Sequence, residues 1–351
     1  MNGHILSFEP QEIEAILLQW GEKKYRINQL LDWIYKKYCL SFDDMLNLPI
    51  TLRERLKESF DFTLPQVDIR LKSKDSSEKY SLKLSDENFI EIVFMSNNKK
   101  NTLCISSQVG CARNCQFCAT AKIGLIRNLK VEEIVAQLLI AQKFNPENRI
   151  TNIVFMGMGE PLDNYDNVVK AIRIIQAELG FAFSPRRMTI STCGVVPAIN
   201  KLADSDIKIK LAVSLNSAIS AKRSELMPIN QKYSLDELKA ALIEFRKKTS
   251  YRISFEYIMI KNFNMSDSDV KALIKFAGDI SCKINLIKWN NVPGLPWLSP
   301  SDEDVEAFTK KLMVISAAIT LRQSRGEDIA AACGQLAAQR LPKQEKDNKE
   351  K

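Results

Sequence analysis

From Thr102 onward, short apolar runs typical of strands alternate with longer segments whose apolar residues recur at helical spacing. Two of the helical segments cover residues 131–143 and 235–248. The strand-like runs occupy residues 103–107, 150–156, 187–192, 209–215, 253–260, 283–287 and 319–323. This alternation predicts a parallel α/β sheet or barrel, in which functional side chains gather at the C-terminal ends of the strands.

The first sixty residues have a different pattern. Residues 9–20 and 27–38 carry apolar side chains at helical spacing, and Ser41 and Thr51 are suitable caps for two further helices. We therefore predict a small helical module ahead of the α/β part of the chain.

Between these two parts the pattern changes to the period of two that is typical of strands. Residues 79–84 and 88–95 alternate in this way around a polar turn at residues 85–87. The chain of 351 residues is long enough for two domains or for one large domain with an accessory piece. We predict a helical accessory domain over 1–62, a β-rich extension over 63–96, a barrel over 97–340 and a disordered tail over 341–351.

Composition excludes several classes of protein. With 45% hydrophobic and 26% charged residues, the chain resembles an ordinary globular protein, and no apolar run approaches the ~20 residues that a spanning helix needs. Residues 1–10 lack the layout of a secretion signal. We expect a cytoplasmic monomer without a membrane partner, and the net charge of +8 permits a nucleic acid partner.

Eight cysteines stand against a single histidine, His4. We expect His4 to lie outside the core, near the N-terminus, so that catalysis by a Ser-His or Cys-His pair is not predicted and a two-histidine metal site is excluded. In a cytosolic chain of this size, clustered thiols indicate metal or redox chemistry rather than a disulfide framework.

Cys111, Cys115 and Cys118 form a C-x3-C-x2-C loop soon after the first predicted barrel strand. Three thiolates on one loop can bind an iron-sulfur cluster and leave one iron open to a substrate. A zinc site completed by a distant cysteine, or buried thiols without a metal, are the alternatives.

The loop, with the aromatic Phe117 just before its third cysteine, resembles the hallmark of the radical S-adenosylmethionine (SAM) superfamily. The resemblance implies a [4Fe-4S] cluster on the three cysteines, SAM chelating the fourth iron, and a partial (β/α)6 barrel. It also implies that the reduced cluster cleaves SAM to a 5′-deoxyadenosyl radical, which the protein positions and shields.

Gly159 and Glu160 lie in Gly157-Met-Gly-Glu-Pro161, directly after a predicted strand. Glycine allows the backbone to approach a ligand closely, and a carboxylate can accept hydrogen bonds from an ammonium group. The segment is similar to the glycine-glutamate-proline motif of the superfamily, which contacts the SAM amino group. The same resemblance assigns SAM contacts to Ser191, Ser214, Leu215, Asn216 and Asn290. The polar members of this set are also residues that commonly cap a following helix.

Cys333 lies near the start of what is predicted as the last helix, where the helix dipole would stabilise its thiolate. A small buried side chain is the alternative. Residues 325–336 closely resemble the C-terminal signature of the adenine methyltransferases of ribosomal and transfer RNA (RlmN/Cfr type). The resemblance implies that Cys333 accepts a methyl group from a first SAM and carries it to RNA.

Two further residues receive roles from the same resemblance. Cys104 would resolve the covalent enzyme-RNA intermediate by forming a disulfide with Cys333, and Glu91 would accept the proton from the adenine ring. From the residue types alone, Cys104 could be a packed strand thiol and Glu91 a solvated strand carboxylate.

The resemblance implies a methyltransferase that uses two SAM per turnover to methylate C2 of an adenine. Its expected partners are 23S rRNA, at the peptidyl transferase centre, tRNA, at the adenine 3′ of some anticodons, and an electron donor such as flavodoxin with its reductase. Pro161 favours the C2 enzymes over the C8 resistance type, which tends to carry alanine there. A non-catalytic iron-sulfur or zinc protein that binds RNA is the other alternative.

Overall fold

The computed structural model describes residues 3–97 and 100–336. Its N-terminal part is helical, as predicted. Its helices are α1 (Pro10–Gln19), α2 (Lys24–Tyr35) and α3 (Ile50–Ser59). Ser41 caps a short 3-10 helix, Phe42–Asp44, through a 3.2 Å bond from the Asp43 amide. The cap predicted at Thr51 is wrong, because α3 begins one residue earlier, behind Pro49, whose fixed φ suits a helix start.

His4 is buried, contrary to the expectation that it would lie outside the core. Its Nδ1 accepts a hydrogen bond of 3.2 Å from the Leu6 amide, and its Nε2 lies 2.9 Å from the main-chain oxygen of Thr63. The histidine therefore ties the first residues of the chain to the segment that follows α3.

An antiparallel set of strands follows the helices: β1 (Gln66–Lys72), β2 (Ser77–Lys83), β3 (Phe89–Asn97) and β4 (Lys100–Cys104). The predicted hairpin corresponds to β2 and β3, and β1 is an additional strand. Ser96 pairs with Asn101 across the connection between β3 and β4, so the extension and the barrel share one sheet. The domain boundaries stay a prediction.

The rest of the described chain alternates between strands and helices. The strands are β5 (Gln108–Gly110), β6 (Leu125–Asn128), β7 (Asn152–Phe155), β8 (Met188–Thr192), β9 (Lys210–Ser214), β10 (Ile253–Met259), β11 (Cys282–Lys288) and β12 (Ala318–Arg322). The helices are α4 (Ala119–Ile123), α5 (Val131–Phe144), α6 (Tyr165–Gln176), α7 (Val196–Asp204), α8 (Ser220–Leu226), α9 (Ile229–Lys232), α10 (Leu235–Lys248), α11 (Asp267–Ala277) and α12 (Asp302–Leu312).

Among the described residues, ten strands form one sheet in the order β1-β2-β3-β4-β7-β8-β9-β10-β11-β12. The pairs from β4 to β12 are all parallel, which confirms the predicted α/β class. The short strands β5 and β6 form a separate antiparallel pair that the sequence pattern did not predict, because three or four residues are too few to show a period.

The strand register sets the functional face of this sheet. Cys104 pairs with Val154, Ser214 with Glu256, and Ile287 with Arg322. Residues directly opposite one another, or two apart on one strand, share a face of the sheet. The register across the successive strands therefore places Cys104, Ser214, Glu256 and Arg322 on one side. The opposite side packs against the helices; Phe255, for example, is fully buried and contacts Phe276 of α11.

None of the helices within these described ranges has the length and apolar character needed to cross a bilayer. The predicted tail, residues 341–351, lies outside the described residues.

Candidate active site

An open cavity lies at the C-terminal ends of the parallel strands, with about 980 Å³ of space that includes part of its solvent-filled mouth. It is lined by nine of the predicted site residues: Cys111, Cys115, Cys118, Gly159, Glu160, Ser191, Ser214, Asn216 and Cys333. Four others, Glu91, Cys104, Leu215 and Asn290, are buried and do not line it. The sequence motifs, far apart along the chain, thus converge on one space.

The cysteine loop lies between β5 and α4 and is fixed by its main chain. The Gln116 amide donates to the Leu226 oxygen at 2.9 Å, and the Trp297 indole donates to the Gln116 oxygen at 2.8 Å. Ala119, which begins α4, donates its amide to the oxygen of Gly334 at 2.7 Å. The loop is therefore bonded directly to the segment that carries Cys333.

The three thiols of the loop influence one another. Burial raises the pKa of Cys115 well above its usual value, and negative charge on Cys118 or Cys111 would raise it further. Burial also raises the pKa of Cys111 to about 12. Within the described part of the chain, no three Cys, His, Asp or Glu side chains are grouped closely enough to bind a single metal ion. A donor set of three thiols around one cavity, with no imidazole beside them, fits an iron-sulfur cluster.

Gly159 and Glu160 form the turn after β7. Gly159 has a φ of +100°, and a β-carbon there would lie 2.6 Å from the Gln108 β-carbon, so only glycine fits. The Glu160 carboxylate is buried and accepts hydrogen bonds from the amides of Cys193, at 2.8 Å, and Leu162, at 3.1 Å. Burial raises the pKa of Glu160, and a bound ammonium group would offset that cost.

An ion pair links the cysteine loop to the turn after β7. The Arg113 side chain donates from Nε to Asp163 Oδ2 at 2.5 Å and bonds the second carboxylate oxygen through its terminal nitrogen. The Asp163 amide in turn donates to the Glu160 oxygen at 3.0 Å. The cysteine loop and the Glu160 turn are therefore bonded to each other.

The serines and the residues after β9 have unequal exposure. Ser191 and Ser214 are half-buried in the cavity wall, whereas Leu215 is fully buried and donates its amide to the Glu256 oxygen at 3.0 Å. Asn216 lines the cavity, but its Oδ1 already accepts the Ile258 amide at 3.0 Å. The Asn216 side chain thus also fixes the neighbouring strand.

Cys333 lies in a turn behind the 3-10 helix Glu327–Ile329, not at the start of a helix among the described residues. Residues 337–351, where the predicted helix would continue, lie outside the described part. The residue Cys333 is exposed at the cavity wall. Surrounding protein atoms nevertheless bury its thiol and raise the thiol pKa, whereas the positive charge of Arg322 lowers that pKa. The expected stabilisation of the thiolate by a helix dipole stays a prediction, because most of that predicted helix lies outside the described residues.

Cys104 lies at the end of β4 and is buried. Burial raises the pKa of Cys104 to about 12, and charge on Cys333 would raise it further, so the two thiols share an electrostatic environment. Glu91, on β3, is also buried, with its carboxylate 3.3 Å from the Lys79 ammonium group. The alternative of a solvated strand carboxylate is wrong.

Sequence analysis missed three charged residues of the site. Glu256 on β10 is buried, accepts the Asn285 side-chain amide at 2.7 Å and lies 3.4 Å from Arg322. Arg223 is 1% exposed and donates to the oxygens of Leu215 and Cys193, each at 2.7 Å, and burial lowers its pKa to about 10. The signal that could have identified Glu256 and Arg322 from the sequence is the presence of a charged residue within a mostly apolar strand.

The remaining cysteines are buried. Cys39 and Cys282 pack in the hydrophobic core, whereas Cys193 also lines the cavity beside Glu160.

Comparisons with known proteins agree with this arrangement. Residues 105–277 match the Radical SAM superfamily, and residues 4–61 match the Ribosomal RNA large subunit methyltransferase N-terminal domain. The chain is 45% identical to a "Probable dual-specificity RNA methyltransferase RlmN" of Dictyoglomus turgidum, over 95% of this chain and 97% of the relative. It is also 45% identical to the "Dual-specificity RNA methyltransferase RlmN" of Nitratiruptor sp., with the same coverage of 95% and 97%.

A solved structure is similar over nearly the whole chain. It is the crystal structure of a radical SAM methyltransferase from Sphaerobacter thermophilus, which superimposes with a TM-score of 0.91 at 38% identity. The similarity covers 95% of this chain and 99% of the solved chain.

Proposed function

Because this chain belongs to the radical SAM superfamily and, within it, to the RlmN family of dual-specificity RNA methyltransferases, we propose that it methylates C2 of an adenine in 23S rRNA and in some tRNAs. The family's cofactors are a [4Fe-4S] cluster and SAM. The targets that we propose are an adenine of the peptidyl transferase centre and the adenine 3′ of the anticodon.

The observation that carries the proposal is the convergence of the three-cysteine loop, the Glu160 turn and Cys333 on one cavity. Cys111, Cys115 and Cys118 would hold the cluster, and Glu160 would accept hydrogen bonds from the SAM amino group. When bound, these cofactors supply a methyl group and a 5′-deoxyadenosyl radical. The chain's own residues then transfer the carbon and the protons.

Cys333 first accepts a methyl group, as its sulfur forms a bond to the methyl carbon and the sulfonium bond of SAM breaks. The methyl group would later lose a hydrogen atom to the 5′-deoxyadenosyl radical, and the resulting carbon radical on Cys333 would add to the adenine ring. The radical adduct would then lose one proton to Glu91 and return one electron to the oxidised cluster that Cys111, Cys115 and Cys118 would hold. A second SAM is used in this stage, so two are used per turnover.

Cys104 completes the reaction in this scheme. Its sulfur forms a bond to the sulfur of Cys333, and the bond between that sulfur and the transferred carbon breaks. The electron pair leaves on the carbon, which takes up a proton to become the methyl group of the RNA. Exchange chemistry of this kind requires two thiols within reach, and the shared electrostatic environment of Cys104 and Cys333 supports their pairing.

An adenine ring carbon is inaccessible in a stacked duplex, so the target base must be unpaired or flipped into the cavity. The N-terminal module offers cations beside aromatic rings for the surrounding RNA. The Lys37 ammonium lies 3.8 Å from the centre of the Trp33 ring, and the Arg26 guanidinium lies 4.9 Å from that of Tyr25. We infer that this surface contacts RNA phosphates and that the reaction takes place in the cytoplasm, with a monomeric enzyme reduced by a flavodoxin-type donor.

The test is nucleoside analysis of 23S rRNA and tRNA after incubation with the reconstituted chain, SAM and a reductant. Formation of 2-methyladenosine supports the proposal, and 8-methyladenosine would establish the C8 type instead. Anaerobic reconstitution addresses the remaining alternative: a zinc-containing, colourless chain that leaves SAM intact would contradict an enzymatic role.

A further inference from the structure

The segment that carries Cys333, residues 325–333, is called the carrier loop below; it lies against the antiparallel extension formed by β1, β2 and β3. The Ser73 hydroxyl donates to Asp328 Oδ1 at 2.5 Å, and the Gly326 amide donates to Asp75 Oδ2 at 2.9 Å. The Arg325 guanidinium donates to the oxygen of Ser96 at 2.9 Å. The extension therefore fixes the position of the carrier loop.

One further contact of the carrier loop involves a buried charge. Lys79 on β2 is 2% exposed, and its Nζ donates to the Ala330 oxygen at 3.2 Å. The same Nζ lies 3.3 Å from Glu91 Oε1. Lys79 thus joins the main chain three residues before Cys333 to the carboxylate that we propose as the proton acceptor.

Ala330 holds an unfavourable conformation at this contact. Its φ is 50° and its ψ is 46°, in the left-handed region that is unfavourable for a residue with a β-carbon. Such a conformation persists only where neighbouring groups enforce it. The Lys79 hydrogen bond is one of the contacts that fix this turn of the carrier loop.

The sheet register directs the three functional side chains to one face. Lys79 pairs with Val93, Ser81 with Glu91, and Val93 with Cys104. Residues directly opposite one another, or two apart on one strand, share a face, so Lys79, Glu91 and Cys104 lie on the same side of the sheet. Lys79 therefore contacts Glu91 and shares a face with Cys104, which lies two strands away across Val93.

Fold stability alone does not account for a charge at this position. The desolvation of a buried ion pair commonly exceeds its Coulombic gain, and an apolar residue of similar volume is often neutral or stabilising in its place. A methionine at position 79 would fill the volume but would contact neither the carboxylate nor the carrier loop as a cation does. A functional role explains the lysine better.

We propose that Lys79 is a positioning residue of the methyl transfer reaction. Its ammonium group holds the Glu91 carboxylate and the carrier loop in one fixed relation, so that a base attached through Cys333 is presented to Glu91. In the step it supports, a C–H bond of the ring carbon breaks, the proton passes to a Glu91 oxygen and the electron pair remains in the ring. This inference rests on the proposed function.

The test compares Lys79→Met, Lys79→Arg and a control, Lys83→Met, in the full reconstituted chain with an RNA substrate. Lys83 lies four residues further along β2, is half-buried and pairs with Glu87, away from the carrier loop. For Lys79→Met we expect at least a tenfold loss of methylated RNA, with accumulation of a covalent chain-RNA adduct on denaturing gels. Lys79→Arg should restore part of the release, and Lys83→Met should match the wild type.

Release of methylated RNA by Lys79→Met at the wild-type rate, without adduct, would overturn the inference. The inference would also be overturned if Lys79→Met lost turnover without forming the adduct while its melting temperature and its methylation of Cys333 stayed at wild-type values. If Lys79→Met does not fold, Lys79→Gln, which keeps a donor for Ala330 but no charge, takes its place with the same two outcomes. If the wild-type chain itself forms neither methyl-Cys333 nor methylated RNA, the proposed function fails; a failure confined to the Lys79 comparison leaves that function intact.

Discussion

The side-chain amide of Asn290 donates a hydrogen bond of 3.2 Å to the main-chain oxygen of Cys333. The residue before it, Trp289, donates its indole N–H to the Phe117 oxygen at 3.4 Å, and the residue after it, Asn291, accepts the Gln335 side-chain amide at 2.8 Å. The segment after β11 thus holds the cysteine loop on one side and the turn with Cys333 on the other. Asn290, for which sequence analysis predicts a SAM contact, thus also fixes the position of the turn that carries Cys333.

Replacing Asn290 should slow the methylation of Cys333. Loss of a hydrogen bond worth about 1 kcal/mol corresponds to a rate change of about fivefold, so Asn290→Ala is expected to be slower by at least that factor. Mass spectrometry of the Cys333 peptide over time measures the rate. Asn291→Ala, which keeps the main-chain acceptor, is the matched control, and equal rates for the two variants would contradict this role.

Breaking the Arg113–Asp163 pair should impair cluster assembly. Asp163→Asn leaves the half-buried Arg113 guanidinium without its carboxylate and loosens the connection between the cysteine loop and the Glu160 turn. Iron and sulfide content per chain after anaerobic reconstitution should fall to less than about half of the wild-type value. Asp166→Asn removes an exposed partner of Lys201 on the neighbouring helix and should leave the content unchanged.

Asn264 is expected to be a main determinant of stability around the site. It is fully buried, donates to the oxygens of Asn216 and Ile258 at 2.7 Å each, and accepts the Ile260 amide at 2.8 Å. Asn264→Ala leaves these buried groups unpaired, so the free energy of unfolding should fall by about 3 kcal/mol. Urea denaturation measures this value.

The exposed Asn148 provides the comparison for that stability measurement. Asn148→Ala should change the free energy of unfolding by less than about 0.5 kcal/mol. A similarly small loss in Asn264→Ala would show that water replaces the buried hydrogen bonds.

Stability should decrease at alkaline pH because of buried thiols outside the cluster site. Burial raises the pKa of Cys282 from 9.0 to about 11, so between these values the folded chain keeps a proton that the unfolded chain loses. The stabilising contribution is therefore complete below pH 9 and decreases as the pH rises toward 11. The free energy of unfolding should be lower at pH 10.5 than at pH 8. This decrease should be smaller by about 1 to 2 kcal/mol in Cys282→Ala than in the wild type. Equal losses in the two proteins would contradict the raised pKa.

Much of the fold could be predicted from the sequence because the apolar runs of the barrel strands are long enough to show their period. All the strands predicted from residue 103 onward are present, with ends shifted by a few residues. Helix α10 has the predicted bounds, Leu235–Lys248, because Ser234 and Glu237 form a capping box at its start. Local patterns of this kind do not depend on distant contacts.

The parts that could not be predicted depend on distant contacts. The burial of Glu91 follows from the pairing of β2 with β3 and from Lys79, and neither can be read from an isolated strand. Arg223 is buried because carbonyls from the ends of β8 and β9 converge on it. The turn at Cys333 forms against the extension, more than two hundred residues away along the chain. The local sequence pattern contains no information on this contact and therefore suggested a helix.

The passage of the methyl carbon through Cys333 is the central claim of this account, and an isotope experiment tests it most directly. The reconstituted chain is loaded with SAM carrying a labelled methyl group, freed of excess SAM, and given unlabelled SAM, a reductant and RNA. We predict that the label appears first on the Cys333 peptide and is then recovered in 2-methyladenosine at the first turnover. Unlabelled methyl groups in the RNA while the label stays on Cys333, or wild-type methylation by Cys333→Ala, would contradict the account.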